Sequence, residues 1–188
     1  MIKIVGISGS LRQGSYNAML LRAAAELAPK DCAVEIGSIQ GIPLYNQDVQ
    51  DAGGIPGPVA LLKDRIAAGD GLLLVTPEYN AGIPGVFKNA IDWLSRPYTD
   101  ISRVFGNRPV GLIGASTSRM GTAFSQTAWL PVFRLLGMLP WFGQQIYLSD
   151  CAKSFDPAGK LSDPGIRKML ESYLAGFAGF VAQCRKGK

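Results

Sequence analysis

The chain is 188 residues long, 47% hydrophobic and 18% charged, with 19 basic and 14 acidic side chains, three cysteines and no histidine. The missing histidine excludes a Ser-His-Asp triad, a Cys-His pair and any imidazole ligand for zinc. Cys32, Cys151 and Cys184 are too scattered for a disulfide framework or a Cys-x-x-Cys motif, which suits a reducing compartment.

Residues 2–7 (IKIVGI) predict a short buried strand that ends at the Gly6–Ser10 turn. Met19, Leu20, Ala23, Ala24 and Leu27 follow at helical spacing over 16–28, and Pro29 stops that helix. Val34 and Ile36 mark a second strand. Residues 37–58, rich in Gly, Pro, Asn and Gln, read as one long loop, and a helix is expected over 59–68. GLLLVT (71–76) is a continuous apolar run closed by Pro77, the pattern of a strand covered on both faces. Pro84 opens a helix over 85–95 with Phe87, Ile91 and Trp93 in the core and Lys88–Asp92 as a surface pair. VGLIGA (110–115) is another buried strand. A helix follows from about Thr122, with a kink expected at Pro131, and IYL (146–148) is a weak fifth strand. An amphipathic helix over 164–184 closes the chain, with Ile166, Leu170, Tyr173, Leu174, Phe177 and Val181 on one side.

Strands that alternate with helices imply an α/β fold with a parallel sheet and helices on both faces, in one domain over 1–188. Such sheets bind ligands beyond the carboxyl ends of their strands. Loops 8–17, 77–84 and 116–121 are therefore the places to look. No apolar stretch approaches the about 18 residues of a membrane span, and residues 2–7 are too short for a signal peptide, so a cytoplasmic protein is expected. The net charge of +5 is spread along the chain and lacks the dense stripe of a nucleic-acid binder. It favours small anions instead.

SGSLRQGSYN (8–17) brings the hydroxyls of Ser8, Ser10 and Ser15, the Arg12 guanidinium and the Asn17 amide to the start of a helix. A helix N-terminus with added donors suits a phosphate. The alternative is an ordinary capped turn with Ser15 as N-cap. The segment matches neither Gly-x-x-x-x-Gly-Lys-Ser/Thr nor Gly-x-Gly-x-x-Gly, so a monophosphate held by hydroxyls fits it better than a pyrophosphate. Pro77, Glu78, Tyr79 and Asn80 bring main-chain donors and acceptors to the sheet edge, as the rim of a flat heteroaromatic ring requires. Tyr79 is placed to cover its face, and Gly82 and Gly85 allow close approach. Ser116, Thr117 and Ser118 offer further donors, or else satisfy their own loop.

GSLRQGSYN (9–17), IPLYNQDVQ (42–50), TPEYNAGIPGVFKNAIDWLSR (76–96) and the GAS-x-S-x-x-G loop (114–121) together resemble the NADPH-dependent FMN reductases of flavodoxin-like fold, a group that includes quinone and chromate reductases. The resemblance runs over essentially the whole chain. It implies a three-layer sandwich around a five-stranded parallel sheet of order 2-1-3-4-5, as a single FMN-binding domain. It implies FMN as bound cofactor and NADPH or NADH as hydride donor. Ser10, Arg12, Ser15, Tyr16 and Asn17 would hold the phosphate, with Ser8 also expected among the cofactor-binding residues. Pro77, Glu78, Tyr79 and Asn80 would hold the ring, and Ser116 would complete the site. Tyr79 and Arg96 would contact substrate, and Arg96 or Arg119 would attract the NADPH 2′-phosphate or an anionic acceptor. The implied reaction is ping-pong hydride transfer through FMN N5 to quinones, flavins or oxidised metal anions such as chromate, with no obligatory protein acid or base. A homodimer or homotetramer is implied. The chain departs from many relatives at Ser118, Thr122, Phe124 and near Trp141, positions that bear on tetramer contacts rather than on the two main loops. The main alternative is a non-enzymatic flavodoxin-type electron carrier; a flavin-binding regulatory module and a phosphate-binding hydrolase or transferase are the others. Carriers are usually acidic, and the +5 charge weighs against that reading.

Overall fold

The computed structural model describes residues 1–186. β1 (Ile2–Ser8) lies between β2 (Cys32–Gly37) and β3 (Gly71–Val75), and β3 is followed by β4 (Pro109–Ala115), all parallel. Two short strands, β5 (Leu139–Pro140) and β6 (Ile146–Leu148), both pair with β4. The order is β2-β1-β3-β4-β5, the flavodoxin-like arrangement. β3 is buried along its whole length, as its unbroken apolar run requires.

One face of the sheet is covered by α1 (Tyr16–Glu26) and α7 (Pro164–Lys186), which pack Leu20, Leu21, Tyr173 and Phe177 against Ile4, Leu73 and Ile113. The other is covered by α3 (Gly57–Ala68), α4 (Gly85–Leu94) and α6 (Ala123–Leu135), which bring Ile66, Phe87, Trp93 and Trp129 against Val5, Ile7 and Leu74. A four-residue helix, α5 (Ile101–Val104), and short 3-10 turns at Tyr98–Asp100 and Cys151–Ser154 complete the elements. No helix among the described residues is long and apolar enough to cross a membrane.

Three expectations need correction. The stretch 37–58 is not all loop: α2 (Gln47–Gly53) forms there because the Asn46 side chain accepts from the Asp48 N–H. None of its residues is buried, so it lacks the apolar stripe by which helices announce themselves. The strand expected at 146–148 is present as β6 facing Ile113–Ala115, but the sheet has a further short strand before it, β5, facing Pro109–Val110. At Leu112, in the gap between them, the buried Tyr173 hydroxyl takes over the ladder. It accepts from the Leu112 N–H at 2.8 Å and donates to the Leu112 carbonyl at 3.3 Å. Finally, α1 ends at Glu26 rather than 28, with Leu27 as its C-cap.

Candidate active site

The loops after β1, β3 and β4 meet in a cleft of about 460 Å³ at the carboxyl edge of the sheet. β1 is where the strand order reverses, so its following loop and α1 face the crevice expected of open α/β sheets. The first loop contributes Ser10, Arg12, Ser15, Tyr16 and Asn17; the second, Pro77, Glu78 and Tyr79; the third, Ser116 and Thr117.

The first loop is an open set of donors. Ser15 is the N-cap of α1, its hydroxyl accepting from the Ala18 N–H at 3.3 Å. The Tyr16 and Asn17 N–H groups of the first turn have no acceptor among the described residues, as helix geometry requires. Arg12 forms no ion pair among the described residues. Its guanidinium lies 5.5 Å from the Tyr16 ring centroid. An unpaired guanidinium beside a positive helix end makes this end of the cleft anion-seeking. Gly9 is required here, because a Cβ would overlap the Phe87 ring on which the loop rests.

Asn17 does a different job from the one expected of it. Its side chain is buried and bonds the Ala115 backbone at both ends of the amide, which leaves one Nδ2–H and its backbone N–H for a ligand in the cleft it lines. Ser8 is also elsewhere. It lines a neighbouring pocket rather than the cleft, and its Oγ is buried without a hydrogen-bond partner.

The second loop is a small hairpin. Tyr79 and Gly82 exchange backbone hydrogen bonds of 3.1 and 3.0 Å, and the two residues between them, Asn80 and Ala81, have φ of 50° and 56°. This is the left-handed pair of a tight two-residue turn. The positive φ values of this turn fall on Asn80 and Ala81 rather than on a glycine, and Asn80 serves the turn rather than lining the cleft. The Tyr79 ring projects half-exposed, at 50%.

Below this hairpin lies a polar cluster with no signal in the sequence. Thr76, Ser125 and Trp129 are fully buried. The Thr76 hydroxyl donates to the Pro77 carbonyl and accepts from Trp129 Nε1–H at 3.1 Å, with Ser125 Oγ 2.9 Å away. The Glu78 carboxylate accepts from the Ser125 N–H at 3.0 Å and so caps α6, which has no side-chain cap of its own. Glu78 is therefore committed to structure, and the hairpin is pinned to α6 from two directions.

In the third loop Ser116 Oγ accepts from the Ser118 N–H at 3.1 Å, so the loop satisfies itself while still facing the cleft. Behind it, Cys151 N–H donates to the Ser116 carbonyl, and burial pushes the Cys151 thiol up to about 11. That cysteine is a packing residue, not a nucleophile. Arg96 follows the far end of α4, away from the hairpin. Its guanidinium lies 4.0 Å from the Tyr98 ring centroid and 5.0 Å from that of Tyr45, outside the cleft.

Residues 2–153 match the family described as NADPH-dependent FMN reductase. The chain is 40% identical over 184 residues to an NAD(P)H-dependent FMN reductase of Pseudomonas aeruginosa, covering 98% of this chain and 97% of that protein. It is 37% identical over 184 residues to a 2-hydroxy-1,4-benzoquinone reductase of a Burkholderia species, covering 98% of each. Among solved structures, the flavoenzyme NAD(P)H:(acceptor) oxidoreductase of Paracoccus denitrificans superposes with a TM-score of 0.86 at 30% identity, over 97% of this chain and 98% of that one.

Proposed function

The chain belongs to the NADPH-dependent FMN reductase family and works with FMN and NAD(P)H, and from that premise we propose that it reduces quinones through FMN held in the cleft above β1, β3 and β4. The unpaired anion-seeking end of the cleft carries this reading. Arg12 and the free N–H groups of Tyr16 and Asn17 fit a phosphate, with the hydroxyls of Ser10 and Ser15 beside them. The main chain of Pro77, Glu78 and Tyr79 fits the hydrogen-bonding rim of the ring, with Tyr79 against it and Ser116 closing the far side.

Bound FMN supplies hydride uptake from the nicotinamide and hydride delivery to the acceptor. The protein binds and orients. Arg12 neutralises the phosphate, and the pinned hairpin keeps the Glu78 backbone N–H in place, a donor that favours negative charge developing on the ring. No side chain has to move a proton, in keeping with a chain without histidine. Donor and acceptor would take turns in one open cleft, which makes turnover ping-pong. A permissive open face extends the acceptors to free flavins and to chromate. We place the 188 residues in one domain that assembles as a homodimer or homotetramer. Leu130 and Leu135 on α6 and the nearby Tyr98, exposed by 40, 83 and 70%, are the apolar side chains that such assembly would cover.

An absorbance spectrum before and after anaerobic NADPH, then after benzoquinone, tests the reading. Flavin bands should bleach with NADPH and return with quinone. Protein that stays colourless after incubation with FMN overturns it. Bands that do not bleach with NADPH would mark a carrier.

A further inference from the structure

A second pocket of about 300 Å³ adjoins the cleft, and Ser10 lines both. It is lined by one face of α1 (Ala18, Leu21 and Arg22), by the end of β2 and the turn that follows it (Ile36 to Gln40), and by Ser8 and Leu11. Three observations distinguish it. Ser8 Oγ is one of two buried side-chain polar atoms without a hydrogen-bond partner among the described residues, an expensive condition unless a ligand supplies one. Arg22, exposed at the rim, has no carboxylate partner among the described residues. Leu21, Ile39 and the half-exposed Ile36 and Leu11 give the pocket apolar sides. A cation at the mouth, an orphan hydroxyl within and apolar walls suit a phosphorylated nucleoside: phosphate to the guanidinium, sugar hydroxyl to the serine, base against the aliphatic side chains.

We propose that this pocket takes the 2′-phosphorylated adenosine end of NADPH, with Arg22 on the 2′-phosphate and Ser8 on the ribose. The proposal rests on the reading of the adjoining cleft as the FMN site, because the nicotinamide of the same molecule must reach the ring. The pocket lies one strand, about 5 Å, from the β1 rim where the FMN phosphate would sit, on the side away from β3 and β4. A dinucleotide laid along the rim from the hairpin would pass Ser10 and arrive there. Neither Arg96, held between Tyr45 and Tyr98, nor Arg119, on the third loop, lines this pocket. Arg22 thus becomes the residue that favours NADPH over NADH.

Calorimetric titration of the FMN-loaded protein with 2′,5′-ADP, 5′-ADP and inorganic phosphate tests this without turnover. The wild type should bind 2′,5′-ADP about tenfold or more tightly than 5′-ADP, and Arg22→Ala should abolish that difference. In steady-state assays, Arg22→Ala should raise KM for NADPH about tenfold while leaving KM for NADH, kcat and FMN affinity unchanged. Ser8→Ala should weaken 2′,5′-ADP and 5′-ADP alike. Equal binding of the two diphosphates by the wild type, 2′,5′-ADP binding no tighter than that of phosphate, or an unaltered preference in Arg22→Ala overturns the proposal. Failure of the wild type to oxidise either nicotinamide nucleotide would instead overturn the functional reading, and the titration would still decide the pocket.

Discussion

Asn17 at the start of α1 grips the backbone of Ala115 at the end of β4 with both ends of its amide. Nδ2–H donates to the Ala115 carbonyl at 2.8 Å, and Oδ1 accepts from the Ala115 N–H at 2.9 Å. The two residues are buried and 98 apart in sequence. The pair closes the top of the sheet across the floor of the cleft and sets the distance between the first and third loops. Asn17→Asp keeps the shape but aims a carboxylate oxygen at the Ala115 carbonyl. It should cost about 2–3 kcal/mol, since a buried group is left without its partner. Urea unfolding checks this as a lower midpoint at unchanged slope. An equal midpoint would mean that the pair is dispensable.

Tyr173→Phe removes the hydroxyl that bridges the gap between β5 and β6. It leaves the Leu112 N–H and carbonyl unpaired, so a loss of about 1–3 kcal/mol is expected although packing volume is conserved. Burial pushes the Tyr173 hydroxyl far above its ordinary range, so ionisation of this group does not compete with the bridge at neutral pH. Hydrogen exchange at Leu112 should accelerate in the variant more than at Leu73 in β3.

Arg12→Ala should weaken FMN binding by about 1.5–3 kcal/mol, the range for a hydrogen bond to a charged group, with little effect on stability because the side chain is exposed. Fluorescence titration of the apoprotein with FMN reads the affinity directly. Unchanged affinity would remove Arg12 from the phosphate end.

Glu78→Ala takes away the cap of α6 and one of the two pins on the hairpin. A loss of about 1 kcal/mol is expected, with Glu78→Gln losing less because an acceptor oxygen remains. Thermal unfolding of the apoproteins orders the three.

Acid should unfold the chain partly through Asp100. Hydrogen bonds from Arg103 and from Lys63, itself nearly buried, hold the Asp100 carboxyl well below the usual carboxylate range. A depressed folded-state value means that the stabilisation is full above the unfolded value of about 3.9 and is lost as pH falls below it. Asp100→Asn should therefore be less stable than the wild type at pH 7, by about 2 kcal/mol, because it leaves the Lys63 ammonium without its carboxylate. The difference should shrink below pH 4. A gap constant from pH 7 to pH 3 would contradict this.

The strands with unbroken apolar runs were legible because each buries both faces, which leaves one pattern open to it: 2–7, 71–76 and 110–115 appear within one residue of expectation. The helix stripes of α1, α4 and α7 were legible for the same reason, since Leu20, Trp93 and Tyr173 had to meet a sheet. The exposed α2 was not legible. It depends on one Asn46 cap and buries nothing. The weak strand at 146–148 was legible, but the two-residue β5 beside it was not, because the bridge across the gap between the two is supplied by Tyr173, 61 residues beyond Leu112.

The chain's own residue order determined which loops face the ligand edge. Apolar runs must be buried, parallel strands must be joined by helices, and the segments after β1, β3 and β4 then share one rim. What each polar side chain does on that rim was decided only in three dimensions. Asn17 went to Ala115, Glu78 to α6, Ser8 to a second pocket and Arg96 to the far end of α4. A hydrogen bond depends on distance and direction between groups as far as 98 residues apart, as in Asn17 and Ala115, and local spacing holds no record of either.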